Sequence, residues 1–256
     1  MSLLRQLVVP LAAALLGSFL LLPIVALLVR ALTGGAALDS GILDALRLSL
    51  LTTSASLFLT LAFGTPLAWV LARQPFPGRR LVEALVDVPI VLPPAVAGLG
   101  LLLLLGRRGP IGGFGVEVAF TTLAVVLAQT FVAAPFYIRA ARGAFVTIHR
   151  DLEDAARMDG GDEWAVFRRV ILPLAGPVLA GGAILAWARA LGEFGATIMF
   201  AGNVSGVTQT LPLAVYAEFQ SSLDASVAAA AILVGAAFAI LLGVRMLRVD
   251  AARDSG

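Results

Sequence analysis

Six stretches of this chain, 7–29, 48–72, 86–105, 119–138, 177–200 and 227–244, are each apolar over about the length needed to cross a bilayer. About 20 residues at a helical rise of 1.5 Å cover the roughly 30 Å of hydrocarbon, and lipid forces each spanning segment to satisfy its own backbone. The predicted fold is therefore an all-α membrane protein, a single transmembrane domain over 1–256 with six spanning helices. Composition agrees: 60% of the residues are hydrophobic, 13% are charged, and mean hydropathy is +0.98. The first run follows Arg5 as a signal peptide would. It is too long for a signal h-region and lacks a clear small-residue cleavage site, so it reads as an uncleaved first span.

All 18 basic residues are Arg, there is no Cys, and the single His is His149. Disulfides and thiolate metal sites are excluded. A phosphate-binding P-loop needs a Lys that this chain does not contain, so if ATP drives it, another protein holds the nucleotide and its Mg. The net charge of +2, spread over short loops, argues against nucleic acid as a partner. The arginines report orientation instead. With the N-terminus inside, thirteen fall in cytoplasmic segments: Arg5, three from 73 to 80, six from 139 to 169, and Arg245, Arg248 and Arg253. Arg30, Arg47, Arg107 and Arg108 fall outside and Arg189 lies within a span, which predicts both termini in the cytoplasm.

Prolines interrupt several spans: Pro10 and Pro23 in the first, Pro66 in the second, and Pro89, Pro93 and Pro94 in the third. Kinks are expected there. Gly98 and Gly100 beside the Pro-Pro pair either open a path between helices or let two backbones touch. Asp87 reads as the cap of the third span.

The segment 139–176 carries six Arg and six acids in a chain otherwise poor in charge. It reads as a small folded unit. Asp151 is placed to cap a helix over 152–158, with Asp154 three residues on as a weak capping box, and Gly160 and Gly161 to end it. Asp162 is placed to cap a second helix, with Trp164, Phe167 and Val170 on one apolar face and Arg168 and Arg169 in the last turn. Pro173 closes the unit. Ala155 and Ala156 beside the Gly turn give a smooth surface. Physics alone leaves two readings of it, a docking helix for a cytoplasmic partner and an amphipathic hairpin lying on the headgroups.

The run Asp154-Ala155-Ala156, Gly160, then Val170-Ile171-Leu172-Pro173 resembles the EAA loop of permeases in binding-protein-dependent ABC importers. Asp154 stands where that family usually has Glu and Val170 where it often has Ile. The resemblance implies that the short helix enters a groove of an ATP-binding subunit, with Asp154, Ala155, Ala156, Gly160, Val170, Leu172 and Pro173 as the coupling residues. A second stretch, 190–197 reading Ala-Leu-Gly-Glu-Phe-Gly-Ala-Thr, then Gly202-Asn203 and Thr-Gln-Thr-Leu-Pro-Leu over 208–213, is similar to permeases of molybdate, with tungstate and sulfate next. That resemblance implies a homodimer around one pathway in a bacterial or archaeal plasma membrane, two ATP-binding cassette subunits beneath, and a periplasmic or extracellular oxyanion-binding protein above. It implies no catalytic residue, metal or cofactor in the chain itself.

Arg189 and Glu193 lie four apart in the fifth span, where an unpaired charge costs roughly 3 kcal/mol or more. Two accounts stand: an intrahelical ion pair, or Glu193 paired with a second chain or forming a gate with Arg189, Gly192, Phe194 and Gly195. A dianion would be repelled by a bare carboxylate, so Glu193 is expected in a gating or structural role. The outer segment 202–223 has no basic residue and contains an apolar stretch at 211–217 too short to span, expected as a re-entrant or interfacial helix. Asn203 and Gln209 are its candidates for contact with a binding protein, against ordinary loop polarity. The rival to an importer is an ion-coupled secondary transporter, which calls for paired acids or His at mid-membrane and for repeats. Only Arg189 and Glu193 qualify. A membrane-embedded enzyme calls for clustered His, Asp or Ser near one interface, and the chain has none.

Overall fold

A computed structural model describes residues 2–34, 40–114 and 117–253, with side chains at 8–34, 40–114 and 117–242. The side chains of Arg5, Arg245, Arg248 and Arg253, used above for orientation, lie outside the described residues. The helices run α1 Ser2–Thr33, α2 Ser40–Arg73, α3 Arg79–Val91, α4 Pro94–Leu105, α5 Thr122–Thr147, α6 Arg150–Met158, α7 Glu163–Val166, α8 Leu172–Leu191, α9 Gly195–Phe200, α10 Leu211–Phe219 and α11 Leu223–Arg253. No strand occurs among the described residues.

Five helical stretches are long and apolar enough to span: Val8–Thr33, Ser40–Arg73, Thr122–Thr147, Glu163–Leu191 and Leu223–Leu242. The sixth is broken. α3 and α4 meet at 117°, because Pro93 and Pro94 remove two backbone donors and Leu92 turns extended at φ −65°, ψ 135°. The expected third span at 86–105 is therefore two helices. α3 also starts seven residues earlier than that span, at Arg79 after Gly78. Asp87 consequently sits inside α3 and not at its cap, 3.7 Å from Arg139 of α5.

The fifth span is corrected too. A π turn at Phe167–Ile171 joins α7 to α8, and α8 ends at Leu191 and not at 200. Pro173 stands in the first turn of α8, where its missing N–H is harmless, and so opens the span instead of closing the unit before it. Residues 139–147 belong to α5, which leaves 148–162 as the region that turns between the two spanning stretches.

α2, α5 and α8 pack on one another as the centre of the bundle. Their contact is made of small residues: Ala68, Ala133, Ala141, Ala144, Ala186 and Ala190 are all buried, with Tyr137, Phe145 and Leu71 filling between them. A Cβ on Gly182 would stand 2.7 Å from Ala140 Cβ. Lipid supplies no hydrophobic drive between helices, so close approach and interhelical hydrogen bonds hold them. α2 carries a buried hydroxyl stripe for the second purpose, Ser49, Thr52, Thr53, Ser56 and Thr60. Thr130 donates to Ser56 (3.1 Å), Trp187 Nε1 to Thr53 (3.1 Å), and the Leu211 N–H to Ser49 (2.7 Å). The Leu211 bond fixes the start of α10, whose Leu211, Pro212, Leu213 and Ala214 are buried; the expected short helix at 211–217 is present.

α4 packs against α9. A Cβ on Gly98 would lie 2.5 Å from the Ala196 carbonyl, and one on Gly195 would lie 2.9 Å from Pro94 Cβ, whereas Gly100 has open space. Of the two readings of these glycines, backbone contact holds at Gly98.

Candidate functional site

The charged region at one end of the bundle is built on the last turn of α2. α5 ends at Thr147, the chain turns through Ile148, and α6 begins after His149, whose side chain makes no cap bond. Asp151 is thus not the cap; it lies in the first turn of α6 with Glu153, where acids favour the helix dipole. Glu153 faces inward. It is 5% exposed and pairs with Arg73, the last residue of α2, at 2.6 Å. Arg73 also donates to the Ile148 carbonyl at 3.0 Å and lies over the Trp69 ring at 5.5 Å. Arg150 returns a bond to the Arg73 carbonyl at 3.3 Å. The short helix is therefore seated on α2 by a nearly dry ion pair with several supporting contacts.

Asp154 is exposed and accepts from Arg157 at 2.8 Å. Arg157 also bridges to Glu163 of α7 at 2.8 Å. The hydrogen bonds to Glu163 and Asp154 push the Arg157 guanidinium above its ordinary range. Leu152, Ala155 and Met158 form an outward apolar face, Met158 being 89% exposed. Ala156 is half-buried and packs on the cluster holding Val166 and Ile171. The outward surface thus includes Ala155 but not Ala156. Gly160 adopts φ +85°, which ends α6 with a left-handed residue.

Asp162 caps α7 as expected, accepting from the Ala165 N–H at 2.7 Å. The apolar face differs from the expected Trp164, Phe167 and Val170. Val166 and Ile171 are the buried residues, at 2% and 1%, while Trp164 is 66% exposed. The π turn at Phe167–Ile171 accounts for the shift from Val170 to Ile171, whereas Val166 lies ahead of it in α7. Phe167 still packs edge-on against Trp69, with centroids 5.6 Å apart. Val170 is half-buried, and Leu172 and Pro173 are exposed at the start of α8. The sequence reading missed Glu153, Arg73 and Ile171; the available signal was an inward acid four residues before Arg157, opposite an Arg ending the second span.

Farther along, Arg189 and Glu193 form an ion pair at 2.7 Å, as the first of the two accounts expected, but not an intrahelical one. They do not share one helix, because α8 ends between them. Glu193 is 1% exposed, and its other oxygen accepts from the Ala196 N–H at 2.7 Å, so it also caps α9. Gly192 and Phe194 form the break with it, and the Phe194 ring lies 5.2 Å from Tyr216 of α10. Gly195 touches the start of α4. In the loop between α9 and α10 Asn203 is exposed and Gln209 half-buried. Thr208 accepts from the Val204 N–H at 2.9 Å, which folds the loop on itself.

Broken spans around a packed three-helix centre, with a short charged helix seated on the end of one central helix, define a helical membrane permease domain. The class can be made specific. The description "binding-protein-dependent transport system inner membrane component" matches residues 64–252, and the chain belongs to that family. It is 45% identical over 204 residues to the molybdenum transport system permease protein ModB of Mycobacterium tuberculosis, covering 78% of this chain and 77% of that one. It is 41% identical to ModB of Escherichia coli K12, covering 77% and 89%. A probable molybdenum ABC transporter permease of Haloferax volcanii is 41% identical over 241 residues, covering 93% and 88%. A bacterial ABC transporter that imports alginate superposes with a TM-score of 0.74 over 98% of this chain and 96% of that chain at 16% identity. The MetNI methionine ABC transporter in an inward-facing form gives 0.58 over 89% and 97% at 22%. These two likenesses concern the fold alone.

Proposed function

We propose that this permease subunit forms the membrane pathway of an ATP-driven oxyanion importer, with molybdate as the first candidate and tungstate and sulfate next. The named relatives transport molybdenum, which supports the substrate class. The proposed assembly is a homodimer in the lipid of the inner membrane. Two ATP-binding cassette subunits, which bind ATP and Mg, lie beneath it, and an extracytoplasmic binding protein lies above. The whole chain 1–256 acts as one domain, with both termini cytoplasmic and no catalytic step of its own.

One observation carries the reading: α6 is anchored inward through Glu153 and Arg73 while Leu152, Ala155 and Met158 are left outward. A helix so mounted fits a groove on a cytoplasmic ATPase. Asp154, Ala155, Gly160, Val170, Leu172 and Pro173 rim or support that contact, and Ala156 supports it from within. Because α6 is tied to the end of α2 and runs through α7 into α8, closure of the ATPase pair would move both central helices together and tilt the two halves from inward-open to outward-open. The break at Gly192, Glu193, Phe194 and Gly195, with Arg189, is placed to act as a gate. Asn203 and Gln209 are the proposed contacts for the binding protein.

Copurification tests this. The wild-type chain should hold a P-loop ATPase in a stable complex whose hydrolysis rises when molybdate-loaded binding protein is added. Ala155→Arg should release the ATPase without unfolding the permease; a complex unaffected by that change would remove α6 from the contact.

A further inference from the structure

Arg189 is the only basic residue between Arg169 and Arg245. It lies about 25 Å along α8 from Leu172 by the helical rise, inside the spanning region. Its Nη1 meets Glu193 Oε2 at 2.7 Å, yet its side chain remains 27% exposed while that of Glu193 is 1% exposed. Glu193 is fixed twice, by this pair and by the Ala196 N–H on its other oxygen. The acid is thus a built-in wall, and the guanidinium is the part that looks outward. It shares its side of the helix with Leu185 and Gly192, both exposed.

A guanidinium facing acyl chains costs roughly 3 kcal/mol or more. The exposed part of Arg189 therefore faces water or a second copy of this chain, which makes this side of α8 the path side. Five N–H donors stand in a planar fork; Glu193 meets it at Nη1 and has its other oxygen on the Ala196 N–H, so one carboxylate does not use all five. The remaining donors suit the oxygens of a tetrahedral oxyanion, to which Arg bonds in a bidentate manner. Glu193 keeps the pair neutral when empty, so a dianion would be held only weakly. Passage requires that balance, since a site must be favourable enough to enter and weak enough to leave.

We propose that Arg189 is a transient contact for the oxyanion in the membrane path and that Glu193 is its standing counter-ion. This rests on the importer reading above, and deepens it by assigning a residue to the anion.

The absence of Cys makes the test direct, because Arg189→Cys introduces the only thiol. The permease is reconstituted in vesicles with its ATPase and binding protein, and uptake of molybdate is measured beside ATP hydrolysis. Loss of a charge-assisted contact should lower uptake roughly tenfold or more while stimulated hydrolysis stays within about twofold. Aminoethyl methanethiosulfonate, which restores a cation at 189, should recover uptake; its sulfonatoethyl counterpart, which adds an anion, should not. Arg189→Lys, which keeps the charge without the fork, should retain part of the uptake and Arg189→Gln should lose it, a comparison that decides the matter should the Cys variant fail to assemble. Uptake undiminished in the Cys and Gln variants, equal recovery with both reagents, or a thiol unreactive in every nucleotide state would overturn the assignment. Failure of the wild type to take up any of the three oxyanions would instead strike the importer reading itself.

Discussion

Glu153 and Arg157 lie four residues apart on α6, and their charges do different things. Glu153 and Arg73 have side chains 6% and 11% exposed at 2.6 Å, so removing one partner strands a charge in a nearly dry site, which costs about 3 kcal/mol. Arg157 reaches three acids, but its short contacts, to Asp154 and Glu163, are in solvent, where ion pairs contribute little, and the one to buried Glu153 is long at 3.4 Å. Glu153→Ala should therefore loosen α6 and raise amide exchange over residues 150–158 roughly a hundredfold, whereas Arg157→Ala should change it little, by hydrogen-exchange mass spectrometry. Equal protection in the two variants would show that the ion pair does not seat the helix. The sequence made Asp154 legible as a motif residue, one position from the acid that anchors. Which face of a nine-residue helix turns inward depends on what it lies against, and Arg73 is eighty positions away in the chain.

At the scale of elements, the two broken spans belong together. Pro93 and Pro94 end α3, Gly192 ends α8, Glu193 bonds into the first turn of α9, and the resulting starts of α4 and α9 pack at Gly195 against Pro94. Gly98 continues that seam one turn on, with no room for a Cβ beside Ala196, while Gly100 faces open space. Gly98→Ala should destabilise the detergent-solubilised protein by about 1–3 kcal/mol through overpacking, seen as a lower melting temperature. Gly100→Ala should be neutral or slightly stabilising, since it only restricts the unfolded chain. Glu193→Gln keeps an acceptor for the Ala196 N–H and loses the ion pair, and Glu193→Ala loses both. The Ala variant should therefore melt lower than the Gln variant by an amount matching about 1 kcal/mol for a cap. The prolines made the first break legible but not its 117° angle, which depends on the extended backbone that Leu92 adopts between the two helices. The second break was read as continuous helix because Gly-Glu-Phe-Gly lies within an apolar run. α8 ends with Gly192 as its C-cap, and the buried Glu193 carboxylate then accepts from the Ala196 N–H three residues on, which starts α9.

Over the whole molecule, the described ion pairs other than Arg189–Glu193 sort to the two ends of the bundle. At the end carrying α6, ion pairs link Arg73 to Glu153, Arg79 and Arg142 to Glu83, and Arg139 to Asp87. At the other, Arg30 pairs with Asp224 across α1 and α11, and Arg107 with Glu117. Membrane insertion reads an excess of Arg at one end, and on the orientation proposed above that end, with α6, is cytoplasmic and the 202–210 loop lies outside. The number and order of spans were legible because the bilayer demands length and apolarity of every crossing. The hydroxyl stripe on α2 was not, because five Ser and Thr residues spread over three turns scarcely lower the hydropathy of a 34-residue helix. A Cys-free chain allows the orientation to be read one position at a time. Asn203→Cys should react with an impermeant maleimide added to spheroplasts, and Met158→Cys only after the membrane is opened. The reverse pattern would invert the molecule and place α6 away from any cytoplasmic ATPase. Loaded binding protein added beforehand should slow labelling at Asn203→Cys several-fold if that loop is where the partner docks; unchanged labelling would move the contact elsewhere on the outer face while leaving the orientation intact.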